Sequence, residues 1–312
     1  MSMTREQYRG IFTIPATPFD DSGAVDAASL HRCIEFCVEC GAHGLVGPVN
    51  ASQFGTLTDD ERSLFVRTMV QVSAGAVPVV AGVTGVSVQH AIALARTAQE
   101  AGANAVIAMP PHYRDTPQAE CIEFFGALAQ SIEIPVVIQN YSGVGGTRMS
   151  AQTVARIIRE VPGVDYVKEE TVPPGPVISE ILRLLERNDK FKGLMGGHGC
   201  GYLLTEYRRG ACGNMPGCHA TDALVNLWNV LDSGREDEAR AIYNRLLPLF
   251  NIERLYGVAL YKEVLVRRGV IASAYDRIPR RPRLDSYELA EMEVALEAVR
   301  DLLTCKKYPL KG

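Results

Sequence analysis

The chain has 312 residues, 47% hydrophobic and 22% charged, with a formal charge of −4 and a sequence pI near 5.9. That is an ordinary globular composition with room for a sizeable core, and it gives no electrostatic reason to bind nucleic acid. No apolar stretch reaches the ~20 residues that span a bilayer, and the opening Met1-Ser2-Met3-Thr4-Arg5-Glu6 lacks the build of a signal peptide, so small-molecule chemistry in the cytoplasm is the expectation.

In chain order, short β-rich runs are predicted at 11–17, 44–49, 77–83, 105–109, 136–139, 164–168, 191–195 and 211–215. Between them the apolar residues recur with helical spacing. Leu30, Cys33, Ile34, Cys37 and Val38 share one face, as do Phe65, Met69 and Val72, then Val88, Ala91, Ile92 and Ala95, then Cys121, Phe124, Phe125 and Leu128. The series continues through Val154, Ile157, Ile158 and Val161, through Ile178, Ile181, Leu182 and Leu185, and through Leu224, Leu227, Trp228 and Leu231. Thr58 before Asp59-Asp60-Glu61, and Ser150, read as helix N-caps.

Eight strands alternating with helices call for right-handed crossovers and a parallel sheet, and at this length favour an α/β fold of the (β/α)8 TIM-barrel type. No Gly-x-Gly-x-x-Gly follows the first strand, which argues against an open dinucleotide-binding sheet. Beyond Gly234 the strands stop and three helical patterns follow. The expected division is a barrel at 1–234 and a helical C-terminal extension at 235–312. Within it the Arg- and Pro-rich 277–283 stretch is expected to be a solvated loop.

The eight cysteines are scattered and read as reduced, small apolar side chains. Cys37 and Cys40 form a Cys-x-x-Cys inside a helical pattern, with no second pair to complete a zinc site. His198, Cys200, Cys212, Cys218 and His219 are too irregularly spaced to predict a metal centre, and no metal is expected.

Lys168 closes the sixth predicted strand. A strand-terminal lysine commonly snorkels into water. A desolvated amine can instead attack a carbonyl and form a Schiff base. In such barrels the reacting groups lie at the C-terminal ends of strands, which is where Lys168 falls. Strand parity puts Val164, Tyr166 and Lys168 on one face, aimed into the barrel mouth.

The segments Gly10-Ile-Phe-Thr-Ile-Pro-Ala-Thr-Pro-Phe19, Leu57-Thr-Asp-Asp-Glu-Arg62, Ala108-Met-Pro-Pro-His112, Gln139-Asn140, Lys168-Glu169-Glu170 and Gly210-Ala-Cys-Gly213 together resemble the dihydrodipicolinate synthase/N-acetylneuraminate lyase family of class I, Schiff-base-forming lyases, over nearly the whole chain. The resemblance implies Lys168 as the Schiff-base lysine, a small 2-oxo acid substrate, no cofactor beyond that covalent link, and a homotetramer.

The departures from the family pattern are informative. Where the family commonly has Gly-Thr-Thr-Gly-Glu, this chain has Val49-Asn50-Ala51-Ser52-Gln53, so the relay hydroxyl is missing. Asn50, Ala51 and Ser52 are expected to bind the substrate carboxylate, which needs only convergent donors. The family's Tyr-Asn pair appears as Gln139-Asn140, replacing a phenol with an amide that cannot carry a proton. Its second relay tyrosine is matched approximately by His112, with Tyr113 adjacent. No arginine stands in Tyr141-Ser-Gly-Val-Gly-Gly-Thr147 where lysine-biosynthetic members grip a second carboxylate, although Arg148 is near.

This pattern is more similar to the branch that dehydrates 2-keto-3-deoxy sugar acids, of the 2-keto-3-deoxyarabonate type, and implies a hydro-lyase that yields a 2-oxo semialdehyde. An aldolase of the same family, or a non-catalytic sensor of 2-oxo acids, stays open. Glu170, Tyr141, His112 and His198 are the candidate acids and bases, with Lys168 and Gln139 completing the catalytic set. Glu170 could equally pair with a surface cation, and Tyr141 could be a packing residue. Gly197 lets backbone approach the ligand, and Met215 ends the last strand as a further substrate contact.

Overall fold

The computed structural model describes residues 8–111, 116–143, 146–278 and 282–311. Eight parallel strands close in sequence order into a barrel: β1 (Gly10–Thr13), β2 (Gly44–Gly47), β3 (Val79–Gly82), β4 (Ala105–Ala108), β5 (Val136–Tyr141), β6 (Val164–Glu170), β7 (Gly193–Gly196) and β8 (Gly213–Asn214). The fold is the (β/α)8 barrel that the alternating pattern predicts. The strands are buried on both faces, as parallel strands covered by helices must be.

The helices are α1 (Ala27–Glu39), α2 (Asp59–Ser73), α3 (Val88–Glu100), α4 (Gln118–Gln130), α5 (Ala151–Glu160), α6 (Pro174–Leu185), α7 (Leu203–Arg208) and α8 (Thr221–Asp232), followed by α9 (Glu236–Tyr256), α10 (Val258–Arg267) and α11 (Ser286–Glu297). Both predicted caps form. Thr58 accepts from the Glu61 amide while Glu61 reaches back to the Thr58 amide, a complete capping box, and Ser150 accepts from the Thr153 amide. No helix among the described residues is long and apolar enough to cross a membrane.

Strand ends depart from the prediction in both directions. β1 stops at Thr13 because Pro15 and Pro18 cannot donate to a ladder, leaving Ile14 an isolated bridge to Gly217. β5 and β6 run two residues further than expected, with Gln139 in register with Lys168, Asn140 with Glu169 and Tyr141 with Glu170, and with Gln139 and Asn140 donating across to Glu170 and Glu169. A register shift opposite Asp165 interrupts the parity counted from Val164, so the reactive face is counted from Tyr166.

The chain sorts into two compact units. One comprises Met1–Arg9, Val79–His198 and Tyr202–Met215; the other comprises Gly10–Pro78, Gly199–Gly201 and Pro216–Gly312. In the first, α3 to α7 cover β3 to β8, and Tyr166 stacks on Tyr8 with ring centroids 4.8 Å apart. In the second, α8 packs on β1 and α9. There Arg268 makes a buried bidentate pair with Asp222 at 2.9 and 2.6 Å. Arg268 Nε also donates to the Tyr308 carbonyl and the Cys305 amide donates to Asp222 Oδ2, both at 3.0 Å, which ties down the C-terminal tail.

The 277–283 stretch is anchored at its start and is not simply a solvated loop. Arg277 donates to both Glu61 oxygens, to the Gly23 and Thr56 carbonyls, and lies over the Phe19 ring. Residues 279–281 lie outside the described residues.

Candidate active site

The C-terminal ends of β5, β6 and β7 assemble a compact polar cluster. Lys168 and Glu170 alternate on one face of β6, and Lys168 Nζ lies 2.9 Å from Glu170 Oε2. The lysine is 2% exposed, so it does not snorkel. Gln139, laterally paired with Lys168, donates its Nε2 to the same Glu170 oxygen at 2.8 Å. Because a carboxylate only accepts, the Gln139 amide is oriented with Oε1 facing away from Glu170. That Oε1 is buried and has no hydrogen-bond partner among the described residues.

β7 closes the third side. The His198 amide approaches Glu170 Oε1 at 3.5 Å, and its ring Nε2 lies 3.0 Å from the Glu170 carbonyl oxygen. A carbonyl can only accept, so Nε2 carries the proton and Nδ1 is left for other contacts. Gly197 is sterically required here: a Cβ would sit 2.3 Å from Glu170 Cγ. Burial alone would raise the Glu170 pKa. The Lys168 charge, the hydrogen bonds from Lys168 and Gln139, and the nearby His198 outweigh it and hold the carboxyl below its usual range. Glu170 is therefore an ionised base buried against an amine.

Tyr141 is the last residue of β5, half-buried and paired in register with Glu170. Gly143 and Gly146 fold back over it, since a Cβ at either would meet Tyr141 within 2.5 Å. Burial, and secondarily the Glu170 charge, raise its pKa. Met215 follows β8, buried, with its amide bonded to the Gly196 carbonyl at 3.0 Å. Arg148 is exposed, and Gln118 holds its carbonyl.

Asn50, Ala51 and Ser52 belong to the other unit and form a 3-10 turn after β2. Ser52 is buried, with its hydroxyl donated to the Pro15 carbonyl at 2.8 Å and its amide to the Val49 carbonyl at 2.9 Å. Both of its donors expected to meet a carboxylate are spent on the turn. Gln53, in the left-handed region at φ 58°, donates to Asp276 Oδ1 at 2.7 Å. His112 and Tyr113 lie outside the described residues.

The sequence reading overlooked the opposite face of the same strands. Glu169, which alternation must point away from Lys168, accepts from Asn140 Nδ2 at 2.8 Å, from the Thr171 amide at 2.8 Å and from the Thr171 hydroxyl. Burial raises its pKa despite these donors. On β8, Asn214 Nδ2 donates to Glu206 Oε2 at 2.8 Å. Burial, with Glu170 and Glu169 adding to it, pushes Glu206 up to about 8. A buried-looking Lys-Glu-Glu run is the signal that could have exposed the first pair, because one of three consecutive charges must face the helix layer.

None of the eight cysteines is in a disulfide, and all are buried. Among the described residues no group of three or more His, Cys, Asp or Glu side chains is arranged to hold a metal ion.

Comparison with known proteins gives the cluster its setting. The chain is 35% identical over 295 residues to the L-2-keto-3-deoxyarabonate dehydratase of Azospirillum brasilense, covering 93% of this chain and 94% of that protein. It is 30% identical over 311 residues to a 4-hydroxy-tetrahydrodipicolinate synthase of Chlorobium luteolum, covering 95% and 98% respectively. The crystal structure of a putative dihydrodipicolinate synthetase from Pseudomonas aeruginosa superposes with a TM-score of 0.87 at 27% identity, over 94% of this chain and 99% of that one. Residues 7–299 match the dihydrodipicolinate synthetase family, and the chain belongs to that family of lyases.

Proposed function

We propose that the protein is a Schiff-base hydro-lyase that dehydrates a 2-keto-3-deoxy sugar acid to a 2-oxo semialdehyde, with Lys168 as the covalent residue. The observation that carries this reading is the Lys168, Glu170 and Gln139 triangle, with a base 2.9 Å from the amine and an unpartnered amide oxygen beside them. The similarity to the A. brasilense dehydratase supports the same class.

Glu170 relieves the Lys168 ammonium of its proton, and the amine attacks C2 of the 2-oxo acid. The carbonyl oxygen leaves as water, taking back the proton from Glu170, and an iminium forms. The iminium acidifies C3, Glu170 takes a C3 proton, and the resulting enamine expels the C4 hydroxyl as water with a proton returned by protonated Glu170. Loss of a C5 proton and tautomerisation give the terminal aldehyde, and water releases the product from Lys168. Gln139 Oε1 accepts from a substrate hydroxyl. His198 and Tyr141 border the sugar chain, and Gly197 and Met215 shape its space.

The exposure of Arg148 supports a hydroxylated substrate over the semialdehyde of the synthases. The working form is proposed to be a cytoplasmic homotetramer needing no metal or dissociable cofactor. Borohydride reduction with a panel of 2-keto-3-deoxy acids, mass spectrometry of the adduct and product identification test the reading. A trapped adduct at Lys168 and a dehydrated product are expected. Free pyruvate as product would assign aldol cleavage instead, and no adduct at Lys168 would sink the Schiff base.

A further inference from the structure

We infer that Glu169 is a positioning residue that sets the geometry of Lys168 and Glu170 through Asn140 and Thr171; this rests on Lys168 being the Schiff-base residue. Lys168, Glu169 and Glu170 are consecutive on β6, and the middle carboxylate is fully buried on the opposite face. Both of its oxygens are committed. Oε2 accepts from Asn140 Nδ2 at 2.8 Å, and Oε1 accepts from the Thr171 amide at 2.8 Å and from its hydroxyl. Asn140 in turn clamps Met149, donating to its carbonyl at 3.1 Å and accepting from its amide at 2.8 Å.

One strap therefore joins the end of β6, the end of β5 and the segment returning to α5. In the ladder the Asn140 and Glu169 pair is flanked by Gln139 with Lys168 and by Tyr141 with Glu170. Each pair of the reactive face is adjacent to the strapped pair, so a change in the strap is transmitted through one peptide unit on either side. A buried carboxyl group is a poor way to gain stability, because an apolar replacement of similar volume commonly does as well. Its value here is directional: acceptors at fixed positions fix the donors of two strands.

Glu169→Gln keeps the shape and turns one acceptor into a donor. Whichever way the amide lies, an NH2 meets either the Asn140 NH2 or the Thr171 donors, and the strand ends must shift. Thr171→Val, nearly isosteric, removes only the hydroxyl bond. Glu169→Gln with Asn140→Asp restores a donor–acceptor match across the strands, though not the bond to the Met149 carbonyl.

The test is the rate of adduct formation at Lys168 with pyruvate and borohydride, read by mass spectrometry on the full chain, alongside circular dichroism and Tm. A folded Glu169→Gln protein is expected to trap about 100-fold more slowly, the loss a displacement of about 1 Å brings. Thr171→Val should trap about tenfold more slowly, and the double variant should recover part of the Glu169→Gln loss without a matching rise in Tm. A folded Glu169→Gln that traps at the wild-type rate overturns the inference. If that variant fails to fold, Thr171→Val decides: wild-type trapping overturns the inference and slowed trapping supports it. A wild type that traps nothing overturns the Schiff-base reading and this inference with it.

Discussion

Glu170 Oε2 is shared between two donors of different character, the Lys168 ammonium at 2.9 Å and the Gln139 amide at 2.8 Å. The sharing orients the carboxylate without consuming a second charge. Glu170→Gln is expected to lower kcat by about 10²–10⁴-fold, the range for a general acid–base group. The Glu170 carboxyl is held below its ordinary value of 4.5. The carboxylate should therefore stay ionised down through mildly acidic pH, and its contribution to folding should be lost only as pH falls below that value. A pH–rate profile whose acidic limb from this group lies above pH 5 would contradict this.

Gly197→Ala should be costly. The added methyl would lie 2.3 Å from Glu170 Cγ and Oε1, and Glu170 is held on both sides. A stability loss of about 1–3 kcal/mol is expected from overpacking, together with a fall in kcat because the displaced group is the proposed base. Gly126→Ala, with nothing within 4 Å, serves as the control. In the middle of α4 it should stabilise by about 0.5–1 kcal/mol. Urea unfolding and turnover of both variants give the comparison.

Asp222→Ala should be among the most destabilising substitutions in the chain. It leaves the Arg268 guanidinium, whose side chain is 0% exposed, without its carboxylate and frees the Cys305 amide. The expected cost is about 3–5 kcal/mol. Breaking the exposed Arg156 and Glu160 pair, at 60% and 50% exposure, should leave the midpoint nearly unchanged. Denaturant midpoints separate the two.

Glu253 offers a pH-dependent test of folding. It accepts from Tyr261 Oη, lies 3.9 Å from His219 and is raised to about 8, mainly by burial, with Cys218 adding to it. Between an unfolded value near 4.5 and the folded one the native state binds the extra proton, so this group's contribution is complete below about pH 4.5 and declines as pH rises toward 8. Glu253→Gln should remove that slope: its Tm relative to wild type should rise between pH 5 and 8. A constant difference across that range would count against the assignment.

Much of the barrel was legible because parallel strands and their covering helices repeat two periodicities that neighbours cannot disguise. The ends of β5 and β6 were not, since Gln139-Asn140-Tyr141 and Glu169-Glu170 read as loop by polarity. Only the structure shows Gln139 and Asn140 donating to Glu170 and Glu169 on the adjacent strand. Lys168 could be located by its place at a strand end. The engagement of Ser52 by Pro15, and of Arg277 by Glu61, depends on residues 37 and 216 positions away, which no local pattern encodes.

On the proposed reading, the buried carbonyl oxygen of Gln139 turns recognition into a matter of exclusion. A ligand that fills the space beside Lys168 but brings no hydroxyl leaves that oxygen dry and unmatched, a penalty of about 1–3 kcal/mol. That is roughly a five- to 150-fold disadvantage against a hydroxylated competitor. Deoxygenated analogues would thus be turned away by what they fail to offer, with no steric barrier needed.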